Sequence, residues 1–156
     1  MNIKFIIPGK NKKTFVEAGI DEYLKRLSKY CKAKIIYIDE EKVNNINQKE
    51  IKTALDKEAI SFLKNAGDDY IILIDIHSKE LSTSEFKECF EKAISKNGNI
   101  SFIFGSSYGL SDILRNRADL KLSLSKLTFT HYFSLLVTIE QVYRSFKMIN
   151  NETYDK

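Results

Sequence analysis

At 156 residues, 43% apolar and 29% charged, the chain has the size and composition of one globular domain (residues 1–156) with its own core, which excludes an intrinsically disordered chain. The net charge of +4 permits a polyanionic partner without demanding one. No apolar run approaches the roughly 20 residues of a bilayer span and no signal-peptide core opens the sequence, so the expectation is a cytoplasmic protein with no membrane partner.

The charge is unevenly spread: residues 1–34 hold nine Lys/Arg against three Asp/Glu, residues 35–80 six against ten, and residues 81–156 ten against eight. Lys10, Lys12 and Lys13 cluster beside Gly9, a loop that a phosphate backbone could contact, although most such clusters are simply solvated. Cys31 and Cys89 have no paired spacing and no neighbouring His, so they read as reduced packing residues; no metal is expected.

In chain order, Asn2–Ile7 is a β-rich run ending at the Pro8-Gly9 turn signal. Thr14 with Glu17 three residues on has the spacing of a capping box, and predicts a helix over about 14–30 with Phe15, Ala18, Tyr23 and Leu24 on its apolar face. Lys34–Ile38 is a second strand, 39–48 a polar loop, and Ile51, Ala54, Leu55, Ala59, Phe62 and Leu63 mark a second amphipathic helix. Asp69–Ile76 is almost continuously apolar, the pattern of an internal parallel strand. A third helix opens at Ser82–Ser84 and turns Phe86, Cys89, Phe90 and Ala93 to one side. Ile100–Phe104 is a buried strand, a short helical stretch carries Ile113 and Leu114, Leu120–Leu124 is a last strand, and a long helix runs from about His131 to Ile149. This alternation predicts an α/β domain with a mainly parallel sheet and helices on both faces.

Three places carry chemistry. The stretch F-I-F-G-S-S-Y-G-L-S (102–111) is a strand running into small residues, where an open α/β sheet admits a ligand. Its spacing is neither a dinucleotide fingerprint nor a phosphate loop, and a plain tight turn needs the same residues. The last helix is apolar around most of its circumference through Tyr132, Phe133, Leu135, Leu136, Val137, Ile139, Val142, Tyr143 and Phe146, which suggests cover by a second subunit. Glu140 and Arg144, four apart, can pair along it, either as a structural ion pair or as a carboxylate orienting an Arg toward phosphate. Of the two histidines, His77 reads as structural and His131, beside S-K-L-T-F-T, as a site residue.

Together L-S-L-S-K-L-T-F-T-H, I-E-Q-V-Y-R-S-F-K-M-I and the terminal Y-D-K resemble the C-terminal signature of a bacterial family of the SPOUT class, which methylates N3 of a pseudouridine in large-subunit ribosomal RNA. The N-I-K-F-I-I-P-G-K start and the E-Y-L-K-R-L helix also fit, so the resemblance covers the full length, and E-Q-V-Y-R is its most diagnostic part. It implies an α/β fold with a C-terminal trefoil knot, an exception to unknotted topology. A homodimer is also implied, with ribosomal RNA or the ribosome as partner and S-adenosyl-L-methionine as cofactor. By match to the motif, cofactor contacts would come from Ile74, Gly105 and the loop Leu124, Ser125, Lys126, Leu127, Thr128 and Phe129. Catalytic roles would fall to Arg144, Tyr154, Asp155 and His131.

The chain departs from the family pattern in four places. Ser106 stands where a second glycine is usual, at the methionine end of the cofactor, where a side chain would crowd it. Tyr132 and Leu135 replace Gln and Arg, and Asp155 replaces a His in the terminal tail. These departures motivate a rival reading, a SPOUT-fold dimer that binds cofactor or RNA without methylating. A flavodoxin-like or receiver-type module is disfavoured, because no acidic triad or FMN loop is visible.

Overall fold

The computed structural model describes residues 1–10 and 14–154. Five strands, β1 (Asn2–Pro8), β2 (Lys32–Ile38), β3 (Tyr70–Ile74), β4 (Asn99–Phe104) and β5 (Leu120–Leu122), form one sheet in the order β2-β1-β4-β3-β5. Every pairing is parallel, with Phe5 opposite both Ile35 and Phe102, and Ile72 opposite Phe102 and Leu120. Five helices alternate with the strands: α1 (Glu17–Leu27), α2 (Gln48–Ala66), α3 (Thr83–Lys96), α4 (Asp112–Arg117) and α5 (His131–Ile149).

The strands are apolar on both sides because helices cover both sides. Ile3, Phe5 and Ile7 of β1, Ile72 of β3, and Ile100, Phe102 and Phe104 of β4 face α1, α3 and α5, where Ile20, Leu27, Phe86, Phe90, Leu135, Ile139, Val142 and Phe146 meet them. The alternate residues Ile6, Ile71, Leu73 and Ile103 face α2 and α4 through Ala59, Phe62, Ala66 and Leu114. Two polar strand residues are explained on that second face. Lys4 reaches the Asn65 and Ala66 carbonyls and Asp69 (Nζ–Oδ2 3.0 Å), and Ser101 donates to the same Asp69 carboxylate at 2.7 Å.

Several boundaries differ from the sequence expectation; the first helix ends at Leu27 rather than near 30, β2 begins at Lys32 rather than Lys34, and three further differences have a local cause. The first helix begins at Glu17, not near 14, with no side-chain cap; Glu17 N–H bonds the Thr14 backbone carbonyl at 3.1 Å, so no capping box forms. Phe15 therefore lies before the helix and is 89% exposed. The capping box occurs instead at α3, where Ser82 and Glu85 bond each other's backbone N–H. At the other end of the sheet, β3 stops at Ile74 because the Asp75 carboxylate turns back to accept His77 N–H at 3.2 Å, an Asx turn that closes the strand. Likewise β5 stops at Leu122, and Ser123 N–H leaves the ladder for the Lys79 carbonyl. The strands' carboxyl ends thus open into three neighbouring loops, 75–82, 105–111 and 123–130.

Candidate active site

Those loops enclose a cavity of about 870 Å³, at the upper end of small-molecule sites. Ile74, Gly105, Leu124, Ser125, Leu127, Thr128, Phe129 and His131 all line it. Lys126 does not appear on its wall. The loop after β4 is a tight double-bonded turn: Ser106 N–H donates to Gly109 O at 3.1 Å, and Gly109 N–H returns to Ser106 O at 2.9 Å. Gly109 sits at φ +101°, a conformation costly for side-chain-bearing residues, and a Cβ on Gly105 would stand 3.0 Å from the Gly109 carbonyl oxygen. Glu40 holds the turn from outside by accepting Ser107 N–H at 3.0 Å. Ser106 lines the cavity, with its hydroxyl sealed from solvent on the side of the buried Glu58. Close by lies the buried Glu58, whose carboxyl is pushed up by burial and accepts Glu41 N–H at 3.0 Å.

In the 123–129 loop, serines bond the chain to itself. Ser123 Oγ donates to the Ser125 carbonyl at 2.8 Å, and Ser125 Oγ accepts Leu127 N–H at 3.0 Å. Leu127 is left 72% exposed and Phe129 packs its ring against Phe133, 5.4 Å between centroids. The cavity wall also holds an ion pair whose carboxylate is buried. Asp75, at the end of β3, accepts Arg115 Nε from α4 at 3.0 Å, and although burial pushes the carboxyl up, Arg115 and the His77 N–H bring it below the usual range overall.

Arg144 and Tyr154 lie elsewhere, on the face where α5 meets α1. The Glu140 carboxylate accepts Arg144 Nη2 at 2.8 Å and Nε at 3.1 Å, and the Tyr154 hydroxyl donates to the same oxygen at 2.7 Å. The Arg144 guanidinium stands 4.0 Å over the Tyr154 ring, and Tyr23 brings its hydroxyl within 3.3 Å of that of Tyr154. Burial first, and Glu140 next, push the Tyr154 phenol well above its usual range, so it stays protonated at neutral pH. Neither residue lines the cavity. Asp155 lies outside the described residues, as do Lys12 and Lys13.

With this geometry in view, similarity to known proteins becomes specific. Residues 1–155 match a family described as "Predicted SPOUT methyltransferase". The chain is 42% identical over 159 aligned positions, with full coverage of both chains, to proteins named ribosomal RNA large subunit methyltransferase H from Clostridioides difficile (strain 630) and Clostridium botulinum (strain Langeland). The chain belongs to the SPOUT methyltransferase family. Solved structures agree on the fold. A probable methylase family protein from Haemophilus influenzae Rd KW20 superimposes with a TM-score of 0.55 at 12% identity, covering 99% of this chain and 70% of that one. A tRNA (m1G37) methyltransferase from Aquifex aeolicus gives 0.51 at 17% identity, covering 92% and 70%.

For this SPOUT chain, the structure brings seven of the eight expected cofactor contacts and His131 to one cavity, and keeps Arg144 and Tyr154 together but apart from it. Sequence reasoning missed Asp75 and Arg115, forty residues apart in a pairing no local spacing reveals. It also missed Glu152, which accepts hydrogen bonds from Lys29, Tyr30 and Lys147.

Proposed function

We propose that this chain transfers a methyl group from S-adenosyl-L-methionine to N3 of a pseudouridine in large-subunit ribosomal RNA. The observation that carries the reading is the cavity at the carboxyl ends of β3, β4 and β5, lined by the same Gly105 turn and 124–129 loop that the family resemblance assigns to the cofactor. The residues fit such a ligand: a backbone-lined turn with no room for a Cβ at Gly105 for the polar parts, and Leu124, Leu127 and Phe129 for a flat apolar ring. When bound, the sulfonium donor supplies an activated methyl, so the protein has mainly to position a nucleophile. The 123–129 segment runs past both the 75–82 and 105–111 loops, bonding Lys79 O on the way, which is the arrangement from which a trefoil knot would be built.

Arg144 is the group we assign to an RNA phosphate near the target. Its guanidinium is fixed by Glu140 on one edge and stacked on Tyr154 by its face, so its direction is set in advance. Tyr154, kept protonated, positions the base rather than removing its proton; Asp155 is the group assigned to take or orient that proton.

Within one subunit these groups cannot reach the cavity. At about 1.5 Å per residue, Arg144 lies roughly 20 Å along α5 from His131 on the cavity wall. A homodimer resolves the distance, since a second copy can bring its Arg144 and Tyr154 to the first copy's cavity. The exposed apolar residues Leu127, Phe129 and Phe133 at the start of α5 support such a contact. The experiment is methyl transfer from labelled donor to ribosomes lacking the modification, with mass mapping of the product. A labelled nucleotide at a single pseudouridine is the expected result. Donor or RNA binding with no transfer would favour the impaired-dimer reading instead.

A further inference from the structure

The chain does not trail off after α5 but is turned back and fastened. Asn151 takes the left-handed conformation (φ +54°), Asn151 N–H bonds Met148 O at 3.2 Å, and Glu152 N–H bonds Lys147 O at 2.9 Å, which closes the helix with a reversal. Glu152 then lies under three donors, one from α5 and two from the turn that follows α1. Lys147 Nζ of α5 stands 2.7 Å from Oε2, Lys29 Nζ, just beyond α1, stands 3.0 Å from both oxygens, and the Tyr30 hydroxyl stands 2.8 Å from Oε2. Tyr30 is itself fixed by stacking on Phe146, 5.1 Å between centroids at 5°. Two residues on, Tyr154 has folded back far enough to reach Glu140 and to lie under Arg144.

We propose that Glu152 is the positioning residue of the C-terminal tail, the clamp that holds Tyr154 against Arg144 and Glu140 in register for the target base. This rests on the function proposed above. Charge-assisted bonds to one carboxylate from α5, Lys29 and Tyr30 are more than a solvated tail needs, and they act on the short segment after α5 that carries a proposed active-site group. A polyanionic substrate adds a reason for the clamp to be ionic and internal. Glu152 draws Lys147 and Lys29 onto itself and offsets one of their two positive charges, while Arg144 is the cation that lies over the Tyr154 ring. The carboxyl stays ionised at every working pH, because Lys147 first, then Lys29 and Tyr30, hold it down at about 2.

The test uses Glu152→Gln in the full-length protein. Single-turnover methylation of ribosomes lacking the modification should slow about tenfold or more, as a small misplacement of a reacting group does, while calorimetric affinity for S-adenosylhomocysteine stays unchanged. In a Tyr154→Ala background the same change should add nothing, because Glu152 acts through Tyr154. Carboxypeptidase trimming past Tyr154, followed by intact mass, should quicken in Glu152→Gln. Lys29→Met removes one exposed arm of the clamp without touching the core and should show a smaller shift in the same direction. An active wild type with an equally fast Glu152→Gln variant, additive losses in the double variant, or unchanged trimming would each overturn the clamp. A wild type that transfers no methyl at all would instead overturn the function on which it rests.

Discussion

Arg144 is bonded on two nitrogens to Glu140 and stacked on Tyr154, so its free edge is the only part that can meet RNA. That arrangement predicts how Arg144→Ala fails: turnover should fall by two orders of magnitude or so, while RNA affinity, spread over many phosphates, falls only a fewfold. Comparable small losses in both, read by single-turnover rate and by equilibrium binding, would leave Arg144 as a helix-surface partner of Glu140. Asp75 makes a different residue-scale prediction, about stability and pH. Its side chain is 5% exposed and its partner Arg115 30% exposed, so losing the carboxylate at neutral pH should cost about 1–3 kcal/mol, with the partial exposure of Arg115 keeping it at the lower end of what buried pairs lose. The sign follows from the lowered native pKa: the unfolded carboxyl binds its proton at higher pH than the folded one. The stabilisation is therefore complete above the usual carboxylate range and is lost as pH falls through the native value. Urea denaturation of wild type and Asp75→Ala should give a gap at pH 7 that narrows as pH falls below the usual carboxylate range.

At the scale of elements, the turn after β4 is the most exacting piece. Gly105→Ala would press a methyl to 3.0 Å from Gly109 O and 3.2 Å from Leu110 Cγ, within a turn closed by two backbone bonds. The turn must open, so affinity for S-adenosylhomocysteine by calorimetry should fall about tenfold or more, while circular dichroism of the sheet and helices stays unchanged. The order of elements was legible in the sequence, because two-sided burial writes Ile71–Leu73 and Phe102–Ile103 as unbroken apolar runs and the helices keep their own period. Strand ends were not legible, because the Asp75 carboxylate turns onto His77 N–H within its own loop and Ser123 N–H bonds the Lys79 carbonyl in another. The capping pattern at Thr14 misled for a related reason: a side-chain cap needs an extended residue directly before the first turn, and here Val16 holds that place with helical φ and ψ. Part of the cavity lining was readable because it is one contiguous loop plus two strand ends. Glu152 and the Asp75–Arg115 pair were not, since each is a meeting of segments that only the folded chain brings together.

For the molecule as a whole, the last helix needs a revised account. Its nearly all-round apolar surface suggested a subunit seam, yet Leu135, Ile139, Val142 and Phe146 are buried within the chain's own core, between α1, α3 and the sheet. Val142→Asp should therefore unfold the subunit, because an unpaired charge would enter a closed core, rather than release monomers. On α5 itself Phe133 and Met148 are exposed, and Phe133 forms one patch with Phe129 and Leu127, so Phe133→Asp should shift sedimentation toward monomer with the fold kept. The proposed division of the site between subunits makes a sharper prediction. Gly105→Ala spoils the cavity and Arg144→Ala spoils the cluster, and each homodimer should be nearly inactive at donor concentrations well below the weakened affinity. After subunit exchange at equal concentrations, mixed dimers pair the sound cavity of one chain with the sound cluster of the other. Half of all dimers then carry one good site of two, so activity should return to about a quarter of wild type, as two-fold symmetry requires. If cavity and cluster instead served the same chain, every site in the mixture would hold one defect. The exchanged sample would then stay as inactive as its two parents, and the roughly 20 Å between His131 and Arg144 would have to be closed by a rearrangement within one subunit.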